Sequence, residues 1–314
     1  MTRVVGELEH PAVPAASGEQ IEIAHAEQRA VIVEVGGGLR TYTAGGNALL
    51  DGYDVGEMSS SGRGQVLVPW PNRIEDGSYT FDGERHQLAI DDIEERDAIH
   101  GLVRWGSWTV AEREPHRVVM EHMLHPRPGY PFSLLLAIEY RLSEDGLRVQ
   151  TTATNRGPAP CPFGSGAHPY LTVGTETVDA VTLRVPGRTV LSSDERGIPV
   201  GAESVDGTAC DFRRPRPIGD VKLDTAFTNL ERDQDGLARV ELRNPRDGRG
   251  LTLWVDERYP YLMVFSGDPL PDVARRSLAV EPMTCPPNAF QTGVDLIRLE
   301  PGRSFTSTWG IRPS

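Results

Sequence analysis

Ser133-Leu-Leu-Leu-Ala-Ile-Glu-Tyr-Arg-Leu142, then Ser143-Glu-Asp-Gly146, then Leu147-Arg-Val-Gln-Thr-Thr-Ala-Thr154 read as two strands and the turn between them. Both runs are rich in aliphatic, aromatic and β-branched residues, and the Asp-Gly step suits a short hairpin connection. The same style extends in both directions. Upstream lie Ile21–Ile23, Ala30–Val35, Leu39–Thr43, Gln65–Val68, Ser78–Phe81, His86–Ile90 and Arg117–His125, punctuated by Gly36-Gly37-Gly38, Asp76-Gly77 and Asp82-Gly83. Downstream lie Val178–Val185, Leu237–Leu242, Leu251–Val255, Tyr261–Phe265 and Ser304–Trp309, with turns at Asp235-Gly236 and Asp247-Gly248. Short strands broken by glycine turns, with no amphipathic helix, no fixed-period repeat and no long linker, predict an all-β chain. The expected architecture is one large antiparallel β-sandwich over residues 19–314, behind a loose proline- and alanine-containing leader over residues 1–18.

The totals exclude several function classes. A net charge of −13 on 314 residues argues against a nucleic-acid partner and against adhesion to an anionic membrane surface. The three cysteines, Cys161, Cys210 and Cys285, are scattered, with no C-x-x-C pair, so neither a disulfide framework nor a structural zinc site is expected. The N-terminal segment lacks the apolar core of a signal peptide and no run is long enough to span a bilayer. A cytoplasmic protein is expected, as a monomer or homodimer. Gly36-Gly37-Gly38 lacks the spacing of a nucleotide-binding fingerprint, and no Walker-type element occurs. His122 and His125 are three apart in a strand and face opposite sides, which disfavours a shared metal. No metal and no cofactor is expected.

What remains is a set of polar side chains beside rigidifying residues. In Ser277-Leu-Ala-Val-Glu281-Pro-Met-Thr-Cys-Pro-Pro-Asn-Ala-Phe290 an apolar run delivers one carboxylate into a segment stiffened by three prolines, so Glu281 is expected at a strand end. Asn72 and Arg73 follow Pro69-Trp-Pro71, His100 precedes Gly101, His168 precedes Pro169-Tyr170, and Asp224 sits in Leu223-Asp-Thr-Ala-Phe227. Taken singly each has a structural reading: a satisfied core histidine, an ion pair, a turn. The charged run Asp91–Asp97 reads as a solvated loop. Taken together, two histidines, two carboxylates, an arginine and several tryptophans suit a polyhydroxylated ligand, whose C–H face an indole covers and whose hydroxyls the polar groups satisfy. With no redox, phosphate or metal element in view, proton transfer is the chemistry left.

The ordered set Pro69-Trp-Pro-Asn-Arg-Ile74, Ile99-His-Gly-Leu102, Ala167-His-Pro-Tyr-Leu171, Leu223–Phe227 and Glu281-Pro282 resembles the aldose 1-epimerase (galactose mutarotase) family from about residue 20 onward. Its wording is most similar to a bacterial subgroup that includes proteins linked to sulfoquinovose metabolism. The resemblance implies a β-supersandwich with the sugar in an open cleft and no cofactor. It implies Glu281 as the general base at the C1 hydroxyl and His168 as the general acid at the ring oxygen. Arg73 and His100 would hydrogen-bond the sugar, Asp224 would orient its hydroxyls, and Asn72 would contact the sugar or hold Arg73. Glu281 should then be ionised and His168 protonated when substrate binds, with Asp224 a candidate to favour the charged histidine. Met263 departs from the glutamine that many members carry in this strand, which bears on the sugar preference. Trp70, Trp105 and Trp254 are candidates to line the pocket. A free aldohexose or C6-modified hexose is the expected substrate; a hexose 6-phosphate epimerase, a non-catalytic sugar-binding domain and a glycoside hydrolase are the alternatives.

Overall fold

The hairpin at the centre of the sequence forms as its pattern predicts. In the computed structural model, which describes residues 15–271 and 273–314, Leu134–Ser143 pairs antiparallel with Gly146–Asn155 and the turn closes at Ser143 and Gly146. Along the first strand Leu134, Leu136, Ile138, Tyr140 and Leu142 are buried, while Leu135, Ala137, Glu139 and Arg141 between them are only partly covered. This is the period-two alternation of a sheet with one face on a core. On the outer face Glu139 joins Arg117, Arg141 and Arg148, so the charges of neighbouring strands neutralise one another.

Two large sheets carry the fold. The first runs Thr109–Glu114, Arg117–Leu124, Leu134–Ser143, Gly146–Asn155, Ser304–Pro313, Gly250–Val255, Ala238–Arg243, Thr182–Arg184 and Arg216–Pro217. The second runs Pro199–Ser204, Gly187–Ser193, Asp224–Leu230, Tyr261–Phe265, Leu278–Met283, Gly166–Ala167 and Val66–Leu67, with Tyr170–Leu171 also paired to Leu278–Met283. Ile138, Tyr140 and Trp309 of the first sheet and Leu262, Val264, Leu278 and Val280 of the second belong to one hydrophobic core. A smaller sheet beginning at Gln20–His25 packs against Arg117–Leu124 and Leu134–Ser143. Helical structure among the described residues amounts to Ala289–Thr292 and the 3-10 turns Glu75–Gly77 and Val178–Ala180. The architecture is an antiparallel supersandwich, as expected.

Residues 1–14 of the expected leader lie outside the described residues. At its other end Ser17 is buried, and its carbonyl accepts a hydrogen bond from Val35 N at 3.0 Å. The packed body therefore starts by Ser17, slightly earlier than the sequence pattern indicates.

Candidate active site

The second sheet places its functional side chains by the same alternation. Leu278 and Val280 point into the core, so Glu281 points to the opposite, outer face. Gly166 pairs with Met283 and Tyr170 with Ala279, a register that sets His168 opposite Glu281. On the other side Met263 pairs with Glu281, and Asp224 pairs with Phe265. One face thus collects Glu281 and Asp224 from two strands and His168 from the break between two short ones, segments far apart in sequence. One expectation is corrected here: Glu281 is not at a strand end, because the strand continues through Pro282 to Met283. The missing N–H of Pro282 is tolerated because the neighbouring strand is itself interrupted between Ala167 and Tyr170.

Arg73, Asn72 and His100 arrive on a second support. Arg73–Ile74 pairs with Ala98–Ile99, and the two chains then clamp each other. His100 N donates to Asn72 O at 2.9 Å, and Asn72 N donates to His100 Nδ1 at 3.2 Å. Both residues adopt left-handed backbone, with φ of 53° and 60°, a conformation Asn and His tolerate better than most. Gly101 follows with φ 77°, and a Cβ there would lie 2.1 Å from Val68 O, so only glycine lets the chain pass. Asn72 Oδ1 accepts from Arg73 N at 2.9 Å, which commits the side chain to holding Arg73. Because His100 Nδ1 accepts a proton, its Nε2 carries the hydrogen and offers a donor to the cleft.

These residues line an open cleft of about 400 Å³ together with Ser61, Gly62, Tyr170, Phe265 and Trp105. At its floor Glu281 is 2 % exposed and His168 5 %. Glu281 Oε1 lies 3.3 Å from His168 Nε2. The His168 ring stacks on Tyr170 at 5.0 Å between centroids and meets the His100 ring edge-on at 5.3 Å. The far face of Tyr170 carries the Arg63 guanidinium, itself paired with Asp51 at 3.2 Å, and the Tyr170 hydroxyl donates to Ser61 O. His168 is therefore fixed by packing rather than by a hydrogen bond to its Nδ1, which has no partner among the described residues, as is also true of Glu281 Oε2. Unpaired polar atoms this deeply buried are costly unless a ligand meets them.

Burial sets the charge state. Desolvation and, after it, the Asp224 carboxylate hold Glu281 well above the usual carboxylate range, against the opposing pull of Arg73. Burial likewise pushes His168 down to about 3, helped by Arg63 and Arg104. His100 is held well below its ordinary value by burial and then by His168. Asp224, open to the cleft, is raised by its poorly solvated surroundings. The carboxyl beside His168 is thus Glu281 itself, not Asp224. Burial thus favours the uncharged form of both Glu281 and His168.

His100, His168 and Glu281 bring three donor atoms within 4.8 Å of one another, close enough to hold an ion. The Nε2 hydrogen of His100, fixed by the Asn72 amide, leaves that ring no lone pair to give on this side. Of the three tryptophans, only Trp105 lines the cleft: Trp70 is buried against Phe290, and Trp254 borders a separate hollow on the first sheet. The run Asp91–Asp97 is not simply a solvated loop. Asp91 holds Arg104 at 2.8 Å, Asp92 holds Arg73 Nε at 3.1 Å, and Asp97 is fully buried beneath them. Its alternation with hydrophobic residues is too weak to reveal this, and the pairing partners are distant or follow the run.

The sequence model described as Aldose 1-epimerase matches residues 19–312. The chain belongs to the aldose 1-epimerase family and is an enzyme of that epimerase class. It is 35 % identical over 300 residues to the uncharacterized protein YihR of Escherichia coli (strain K12), covering 94 % of each chain. It is also 29 % identical over 162 residues to the aldose 1-epimerase of Escherichia coli (strain K12), covering 49 % of this chain and 46 % of that one. A solved structure of a GalM/aldose epimerase homologue from C. elegans shares the fold with a TM-score of 0.85 at 19 % identity, covering 94 % of this chain and 98 % of the other. Among the described residues no helix is long and apolar enough to cross a membrane.

Proposed function

We propose that the protein interconverts the α- and β-anomers of a free aldohexose, C6-modified hexoses included, by general acid–base ring opening and closure. The observation that carries this reading is the Glu281–His168 pair, 3.3 Å apart on the cleft floor. The two reacting oxygens of a cyclic aldose sit on the same carbon, so an adjacent base and acid reach both. With sugar bound, the proton that burial places on Glu281 passes to His168 Nε2, and Glu281 then takes the proton of the C1 hydroxyl while His168 delivers one to the ring oxygen. The C1–ring-oxygen bond breaks and the C1 carbonyl forms. Glu281 ends protonated and His168 neutral, which is the state that burial favours. Rotation about C1–C2 and the reverse transfers on the other carbonyl face close the opposite anomer.

The remaining groups orient the sugar. Arg73 Nε is occupied by Asp92, which leaves its terminal nitrogens without a hydrogen-bond partner among the described residues. These donors and His100 Nε2–H meet hydroxyl lone pairs, and Asp224 accepts from hydroxyls; Asn72 keeps Arg73 and His100 in place. The group against Glu281 is an imidazole and not a second carboxylate, which favours an epimerase over a glycoside hydrolase. The charges of both cleft arginines are already balanced by aspartates, which disfavours a C6 phosphate dianion although donor N–H groups of Arg73 remain available to hydroxyls. The test is polarimetry or anomeric proton NMR on freshly dissolved glucose, galactose, sulfoquinovose and glucose 6-phosphate. Accelerated equilibration of at least one non-phosphorylated sugar is expected. Sugar binding with no acceleration of any would make the protein a non-catalytic binder.

A further inference from the structure

We propose that Arg196 is a positioning residue for Arg73: the tip of the hairpin formed by Gly187–Ser193 and Pro199–Ser204 straps the segment that carries Arg73 and so sets its reach to the sugar. This rests on the mutarotase reading of the cleft and adds a residue that does not itself line it. The tip is an ordered turn. Asp194 Oδ1 accepts from Arg196 N at 3.0 Å and from Ile198 N at 2.9 Å, which fixes the backbone from which Arg196 extends. Arg196 Nε then donates to Glu95 O at 2.8 Å, and its Nη2 donates to Asp97 Oδ1 at 2.6 Å and to Asp76 Oδ1 at 3.0 Å.

The place of these partners gives the contacts their meaning. Asp76 lies just beyond the strand Arg73–Ile74, and Asp97 directly precedes the partner strand Ala98–Ile99. One guanidinium thus ties both chains of a two-residue ladder, which is too short to hold itself. Asp97 couples the strap to Arg73. Its carboxylate is fully buried, with Oδ1 on Arg196 and Oδ2 3.9 Å from Arg73 Nε. Without Arg196 a buried carboxylate would keep Arg73 as its one ion-pair partner among the described residues and draw it away from the cleft. The next residue of the tip also touches Arg73. Gly197 has φ 76°, and a Cβ there would lie 2.8 Å from Arg73 Nη1. The hairpin tip therefore confines the Arg73 guanidinium by contact and governs its charge balance through Asp97.

The experiment is a double-mutant cycle. Anomeric exchange is followed by NMR, with the sugar that wild type turns over fastest, in Arg196→Met, Arg196→Lys and Gly197→Ala, each alone and combined with Arg73→Met. A hydrogen bond from a charged donor carries about tenfold or more in affinity, so Arg196→Met should raise KM about tenfold with a smaller change in kcat. Arg196→Lys, which keeps a cation at Asp97, should recover most of that loss. Gly197→Ala leaves Arg196 in place and should also raise KM, which keeps the test open if Arg196→Met does not fold. In the Arg73→Met background none of the three should raise KM further. Arg117→Met, which removes contacts to Glu112, Glu114 and Glu139 on the first sheet, should lower thermal stability with KM unchanged. An unchanged KM in both Arg196→Met and Gly197→Ala, or an equal rise with and without Arg73, overturns the strap while wild-type turnover keeps the mutarotase reading intact. No turnover of any sugar by wild type overturns that reading and the strap with it.

Discussion

Gly62 offers a way to displace the proposed acid without touching it. Its backbone has φ 78°, and a Cβ built there would lie 2.5 Å from Cδ2 and 2.9 Å from Nε2 of His168. Ordinary contact begins near 3.4 Å, so Gly62→Ala requires the imidazole to move by about 1 Å. The ring cannot yield freely, because it is stacked on Tyr170, which is backed by Arg63. A misplacement of about 1 Å in a catalytic group costs roughly 100-fold in rate. The left-handed backbone adds about 1–2 kcal/mol of strain and the overpacking a further 1–3 kcal/mol or so. Gly83 separates these effects: it has φ 82°, but nothing lies within 4 Å of its would-be Cβ. Gly83→Ala should therefore lose only the backbone contribution, about 1–2 kcal/mol in denaturant unfolding, with mutarotation unchanged. Gly62→Ala should lose more stability and about 100-fold in kcat/KM by polarimetry. Wild-type turnover in Gly62→Ala, or the same losses in both variants, would refute the claim that His168 is held in position by packing.

Two further expectations follow from the buried pair. Between about pH 6.5 and 3 the unfolded chain takes up a proton that folded His168 refuses, a loss of stability on acidification that the proton held by folded Glu281 opposes, so the His168 contribution shows in the difference between wild type and a variant without it. Thermal unfolding from pH 7 to 4 should show His168→Gln gaining stability relative to wild type as the pH falls; identical slopes would contradict it. Met263 is buried directly across the ladder from Glu281 and gives it no hydrogen bond. Met263→Gln should stabilise the carboxylate and move the acid limb of the kcat/KM profile to lower pH, whereas an unmoved limb would show that Met263 does not tune Glu281.

The supersandwich was legible because alternation is local: Leu134–Ser143 states its buried face residue by residue, and Asp-Gly marks its turn. The residues that the sequence singles out as candidates also come together, since Asn72, Arg73, His100, His168, Asp224 and Glu281 all border one cleft. Their arrangement was not legible. That His168 stands opposite Glu281 depends on the pairing of strands more than 100 residues apart in sequence, which no local pattern encodes. The burial of Asp97 was hidden for a similar reason, because its partners Arg73 and Arg196 come from two other segments of the chain. Among the tryptophans, composition alone did not separate the core residue Trp70 from the rim residue Trp105.

The most direct test of the account is Glu281→Gln, which keeps the size of the side chain and removes the base. Anomeric exchange by NMR and sugar affinity by calorimetry would be measured on the same preparation, with the sugar that wild type turns over fastest. General acid–base catalysis contributes roughly 100- to 10,000-fold, so the variant should lose at least about 100-fold in kcat while still binding the sugar. A Glu281→Gln protein that equilibrates anomers at the wild-type rate would contradict the assignment of Glu281 as the base and, with it, the proposed mechanism.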